Sequence, residues 1–154
     1  MAKLTPFQKI SGKLVRAKVF RNTAILKYNF KTYDWETGED ATTTITRKIQ
    51  CYPPEQVNQR LVDGKNYLSD DQIMRVPYTE ILNSRAAQAG DPVITNNGKT
   101  KTLAEMRPYN ATTGGIATTT DTIEFSGKTY HIAAVRGDTW MGNAPADYYF
   151  TLRG

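Results

Sequence analysis

Two Gly-Lys-Thr triplets, beginning at Gly98 and Gly127, are the residues of this chain that come nearest to a phosphate site. A phosphate cradle needs another glycine five residues earlier, so that successive backbone N–H groups can surround the anion. Val93 and Thr122 stand at those positions, so both triplets read as turns. Asp34, Glu36 and Asp40 resemble the start of a calcium loop, but the glycine falls at 38 and Ile45 takes the place of the closing glutamate. His131, the only histidine, falls on the face of its strand opposite Tyr130 and Ile132, with no serine or cysteine in a nucleophile motif to partner it, and is expected on the surface. Asp70-Asp71 reads as the end of a turn. Asn110-Ala111-Thr112 and Arg136-Gly137-Asp138 match short glycosylation and adhesion patterns that need a secreted context. No catalytic, cofactor-binding or metal-binding residue is assigned, and the protein is expected not to be an enzyme.

The elements around these residues are mostly strands. Residues 13–33 read as a hairpin: Val15, Ala17 and Val19 alternate with basic residues, and the phase resumes at Ala24, Leu26, Tyr28 and Phe30. An acidic turn follows over Asp34–Asp40, and Ile45, Ile49 and Cys51 are spaced for a strand that Pro53-Pro54 ends. Residues 55–62 carry one helical turn, 71–78 a strand and 80–89 a short helix. From 92 to 122 the chain turns rich in Thr, Asn and Gly, which predicts a long mobile arm or extended loop. Ile123 and Phe125, the Ser126-Gly127 turn and Tyr130, Ile132 and Ala134 make a β-hairpin, and 147–153 a last strand with Tyr148, Phe150 and Leu152 on one face. Six or seven strands with one or two short helices define a mainly β fold, a small β-barrel or sandwich with a long extended loop, in one domain spanning 1–154.

Composition bounds the rest. A chain of 154 residues supports one core. No apolar run approaches the ~18 residues a membrane span requires, and the first residues show no secretory signal. Cys51 is the only cysteine, which excludes an internal disulfide and fits an intracellular folding environment, with Cys51 a buried, inert thiol. A net charge of +5 favours an acidic partner, although the basic residues are scattered. Arg16, Lys18, Arg21 and Lys27 form one loose group, and Lys99, Lys101 and Arg107 another.

The pattern Asp121-x-Ile123-x-x-x-Gly127-x-x-Tyr130-x-Ile132 before an aromatic last strand resembles the end of the head-closure, or stopper, proteins of long-tailed bacteriophages. Ile49-Gln50-Cys51-Tyr52-Pro53-Pro54, with Leu61-x-Asp63-Gly64 after it, is similar to the strand, proline turn and Asp-Gly step upstream in such connectors. The resemblance covers residues 45–154. It implies a structural virion protein, made in the bacterial host cytoplasm, that forms a homo-oligomeric ring at the head–tail junction (neck). Such a ring closes the head, joins the portal and adaptor to tail proteins, and has genomic double-stranded DNA in its channel. On that view Lys99, Lys101 and Arg107 are candidate channel or neighbour contacts. A tail-completion or tail-terminator ring is an alternative within the same class. A nucleic-acid-binding β-barrel is another, with Tyr28, Phe30 and Tyr33 stacking on bases beside Lys27 and Lys31.

Overall fold

The computed structural model describes residues 4–16, 22–34, 37–56, 70–96, 98–137 and 145–154. The elements run α1 (Pro6–Arg16), β1 (Asn22–Asp34), β2 (Glu39–Cys51), β3 (Glu55–Gln56), β4 (Gln72–Pro77), α2 (Tyr78–Ser84), β5 (Ile94–Asn96), β6 (Lys99–Lys101), α3 (Leu103–Met106), β7 (Thr122–Phe125), β8 (Lys128–Gly137) and β9 (Asp147–Arg153). The fold is mainly β, as the alternation predicted, and sandwich-like. Among the described residues no helix is long and apolar enough to cross a membrane.

Seven strands form one antiparallel sheet in the order β2-β1-β7-β8-β9-β4-β3, and β5 and β6 make a separate two-stranded ribbon. The sheet curls until the end of β2 reaches β4, where the Tyr52 N–H donates to the Arg75 carbonyl (3.0 Å) and the Arg75 guanidinium lies over the Tyr52 ring. Period-two patterning explains which face is inside. Ala24, Leu26, Tyr28 and Phe30 of β1 meet Ile45, Ile49 and Cys51 of β2, Ile123 and Ile132 of the β7–β8 hairpin, and Tyr148, Phe150 and Leu152 of β9 in one core. The two-residue turn of that hairpin places Ser126 at φ 51° and Gly127 at φ 77°, the twist that suits a tight β-hairpin.

Several expectations are corrected. Residues 13–16 do not begin a strand. They close helix α1, while β1 pairs with β2 along all thirteen residues, from Asn22 opposite Cys51 to Asp34 opposite Glu39. The helix has a signal of its own: the Thr5 hydroxyl accepts from the Gln8 N–H, and the Gln8 side chain accepts from the Thr5 N–H, a capping box with Pro6 in the first turn. Helix α2 begins at Tyr78, directly after Pro77, and stops at Ser84. The 92–122 segment is no extended arm: Ile94, Leu103 and Ile116 along it are buried in the core. Residues 55–56 form the short strand β3, and the rest of the helical turn expected there lies outside the described residues.

Gly114 and Gly115 let that segment pack so closely. Both have positive φ (66° and 85°). A Cβ on Gly114 would lie 2.9 Å from Ile81 Cγ2, and one on Gly115 would lie 2.0 Å from Arg85 Nη1. Holding a non-glycine residue in this backbone region costs about 1–3 kcal/mol before any clash. Gly115→Ala is therefore expected to lower the unfolding free energy by at least about 2 kcal/mol in urea denaturation, whereas Gly98→Ala, with the same sign of φ but open space around it, loses only the conformational part.

Candidate functional site

The three basic residues singled out from the loop do not come together. Lys99 is exposed on β6 and Lys101 is half-buried on the same strand. Arg107 is turned inward. Its Nη1 donates to Asp121 Oδ2 (2.7 Å), and its Nη2 donates to Asp121 Oδ1 (3.1 Å), the Asn29 carbonyl (2.8 Å) and Thr120 Oγ1 (3.1 Å). The guanidinium also lies 4.9 Å from the centre of the Phe30 ring. Arg107 is thus an internal clamp, because Asp121 is fully buried and needs a counter-charge.

Four other ion pairs also have one partner withdrawn from solvent: Arg47 with Asp91, Arg16 with Glu80, Arg75 with Asp147, and Arg153 with Asp71. Arg47 shares the inward face of β2 with Ile45 and Ile49. Its Nε donates to the Ser84 carbonyl (2.9 Å), and its two terminal nitrogens grip Asp91 at 2.6 Å each. That grip holds the Asp91 carboxyl below its ordinary range. Glu80 of α2 accepts from the Gln50 N–H of β2 (2.8 Å). Arg47, Arg75, Arg107 and Arg153 therefore serve the fold, and the exposed cations of the described residues are chiefly lysines, with Arg16 and Arg136 beside them.

The base-stacking arrangement is also corrected. Tyr28 and Phe30 are core residues, with the Tyr28 hydroxyl bonded to Ser84 Oγ at 2.8 Å, and only Tyr33 of the three is exposed. Lys27 pairs with Glu124 at 3.4 Å. His131 is exposed on β8, as expected, and the two Gly-Lys-Thr triplets are hairpin turns. Among the described residues no three His, Cys, Asp or Glu side chains gather as a metal site.

Two surfaces stand out instead. The first is α1. Its inner face is mostly small and polar: Gln8 donates to the Pro145 carbonyl (2.8 Å), Ser11 bonds Asp147 and Gly12 abuts Thr79, with Val15 the one apolar side chain buried there. Its apolar residues Phe7, Ile10 and Leu14, spaced three and four apart, are 45%, 54% and 44% exposed, with Lys9 and Lys13 beside them. Helices of folded domains ordinarily bury such a stripe. The second is the end of the β1–β2 hairpin, which runs past the three residues of β1 that pair with β7 (Ile25–Lys27) and leaves Tyr33, Glu39, Asp40, Ala41 and Thr42 exposed. Reasoning from strand alternation missed α1, although Thr5-Pro6-Phe7-Gln8 carried its signal.

Comparison with protein families, with curated proteins and with solved structures returns no match for this chain.

Two outcomes are expected from the buried groups. Arg107→Ala strands the Asp121 carboxylate and should cost about 3 kcal/mol in chemical denaturation, while Lys99→Ala stays within about 0.5 kcal/mol. Burial, reinforced by the nearby Glu80 charge, pushes the Cys51 thiol up to about 12. An ordinary thiol ionises near 8.5. The folded chain should therefore resist thiol reagents at pH 8 to 9 and react on unfolding, and its stability should decline as pH rises from about 9 towards 12, where the unfolded thiol ionises and the folded one does not.

Proposed function

We propose that this protein is a structural virion component that assembles into a ring at the head–tail junction of a long-tailed phage, with head closure as its task. The observation that carries the assembly part of this reading is the outward-facing apolar stripe of α1. It is a surface that costs free energy in water and gains it against a neighbour. The phage context rests on the resemblance of the β7–β8 hairpin and β9 to the ends of stopper proteins. The motif residues Ile123 and Ile132 lie at the centre of the core, and Gly127 makes the turn between them.

On this reading the partners are further copies of the chain, the portal or adaptor above, tail proteins below and double-stranded DNA within the channel. A tail-completion ring is the second reading, and the same stripe favours it equally. Lys99 and Lys101 stay as candidate channel contacts, since a mild, non-specific positive charge suits DNA passing without sequence readout. Arg107 leaves that set. The nucleic-acid-binding barrel loses support with the burial of Tyr28 and Phe30.

The test is the mass of the full chain in solution, by light scattering with negative-stain imaging, alone and with portal, adaptor and tail components. Closed rings, or a monomer that becomes a ring when connector components are added, are the expected result. A persistent monomer that binds oligonucleotides tightly in a salt-dependent way would overturn it.

A further inference from the structure

The two exposed surfaces differ in a way that bears on how copies meet. Helix α1 presents Phe7, Ile10 and Leu14 beside the exposed cations Lys9 and Lys13. The far end of the β1–β2 hairpin presents Tyr33 and Asp40 as cross-strand partners on its outer face, with the exposed Lys31 one pair further in, and the exposed Glu39 at the tip on the opposite face. One surface is apolar and basic, and the other is aromatic and acidic. They are complementary in both hydrophobic character and charge.

They also sit at opposite ends of the same element. Helix α1 packs at the base of the hairpin, where Ser11 lies 3.4 Å from the Tyr52 hydroxyl just past the end of β2. From Cys51 at that base to Glu39 at the tip is twelve residues of continuous strand. At about 3.3 Å per residue this is roughly 40 Å along the strand. One copy cannot bring its own tip to its own helix across that span. Two copies placed head to tail can.

We infer that the β1–β2 tip of one copy docks end-on against the α1 face of the next, so that Tyr33 of the outer face meets the Phe7–Ile10–Leu14 stripe while the carboxylates at the tip, Asp40 from that face and Glu39 from the other, approach Lys9 and Lys13. The occupant of the helix face is thus a second copy of this chain. The contact is heterologous, and such a contact repeats into a ring when the rotation between copies closes. This inference rests on the ring reading above and adds which surfaces form the joint. The shallow groove between α1 and α2, lined by Lys9, Gly12, Lys13, Arg16, Thr79 and Asn83, lies along the helix beside the lysines and gives an acidic side chain room to approach them.

Charge exchange in the full-length chain tests the pairing. One variant carries Lys9→Glu and Lys13→Glu, a second carries Glu39→Lys and Asp40→Lys, and a third carries all four. All four side chains are exposed, so circular dichroism should show each variant folded. Each two-residue variant alone should associate at least about tenfold more weakly than the wild type in sedimentation or light scattering, because like charges then face one another. A mixture of the two should assemble again, since every helix then finds an oppositely charged tip on the other variant. The four-residue variant should assemble by itself.

The outcomes separate the two levels of the reading. If the wild type assembles and the tip variant assembles equally well alone, the helix meets something other than the tip, and this pairing is overturned while the ring stands. If the wild type remains monomeric at all concentrations and with connector components, the ring reading falls and the pairing falls with it.

Discussion

Strand β7 pairs with β1 only from Ile25 to Lys27, yet β1 continues for seven more residues. The backbone groups of Asn29, at the next position facing that side, would be left without a ladder, and buried backbone groups must find partners. Asp121 and Arg107 take over. Asp121 accepts from the Asn29 N–H (3.0 Å), and Arg107 donates to the Asn29 carbonyl (2.8 Å), so two side chains occupy the place of a strand. The Asn29 side chain joins in by donating to the Thr120 carbonyl at 2.8 Å. Because Asp121 also accepts from the Ala117 N–H, and Arg107 follows α3, the same pair fixes the course of the 103–121 segment. The turn at Gly114 and Gly115 is tied to the same pair, since Arg107 Nη1 also donates to the Gly115 carbonyl (3.4 Å).

Charge is distributed on the same logic. An arginine fork can satisfy a carboxylate in two-point contact and still reach carbonyls, so it is suited to sites with little water. Here Arg47 and Arg107 hold the segments after β4 to the sheet, and Arg85 ties those segments to one another by donating to the Gly114 and Arg107 carbonyls. Lysine is a more strongly hydrated charge and stays outside. Each such pair withdraws one positive and one negative charge together, so the net charge of +5 stays with the remaining ionisable groups, and among the described residues the exposed cations are chiefly lysines.

The fold was legible where burial imposes period two. Residues 24–30, 45–51, 123–132 and 148–152 fall in the core in the expected phase, because one face of each strand is dry and a slip of one residue would expose it. Past Ile132 a β-bulge breaks the phase, so that Ala134, expected on the inner face, is exposed and Val135 packs against the core instead. Legibility failed in two places for opposite reasons. Val15, Ala17 and Val19 alternate with Arg16 and Lys18 just as a strand would, while the decisive signal, Thr5 bonded to Gln8, is a local cap outside the periodic run. The 92–122 stretch is poor in apolar residues and reads as unstructured. A few widely spaced ones, Ile94, Leu103 and Ile116 with Met106 packed beside them, anchor it, and the remaining attachment is through Asp91, Arg107 and Asp121, whose partners are remote in sequence. Arg107 was legible as a basic residue in a loop, but its burial was not, because that follows from where Asp121 ends up.

Sheet edges offer the usual route for β-proteins to associate, by adding strand to strand, and this route is obstructed at one edge. The outer side of β2 is covered near its base by α2, through Glu80 on the Gln50 N–H and Arg47 on the Ser84 carbonyl, and Tyr52 is tied to β4. Further along, β2 presents Thr42, Thr46 and Lys48 outward, polar positions that give a new strand no apolar face to match. For the ring proposed above, side-chain surfaces are then the candidates for the joint, and the two at α1 and at the hairpin tip are unlike each other. Two α1 faces brought together would set Lys9 and Lys13 against their own copies, and two hairpin tips would oppose Glu39 and Asp40. Symmetric pairing through either surface is therefore disfavoured electrostatically, which leaves unlike surfaces as the combination in which apolar contact and charge act in the same direction.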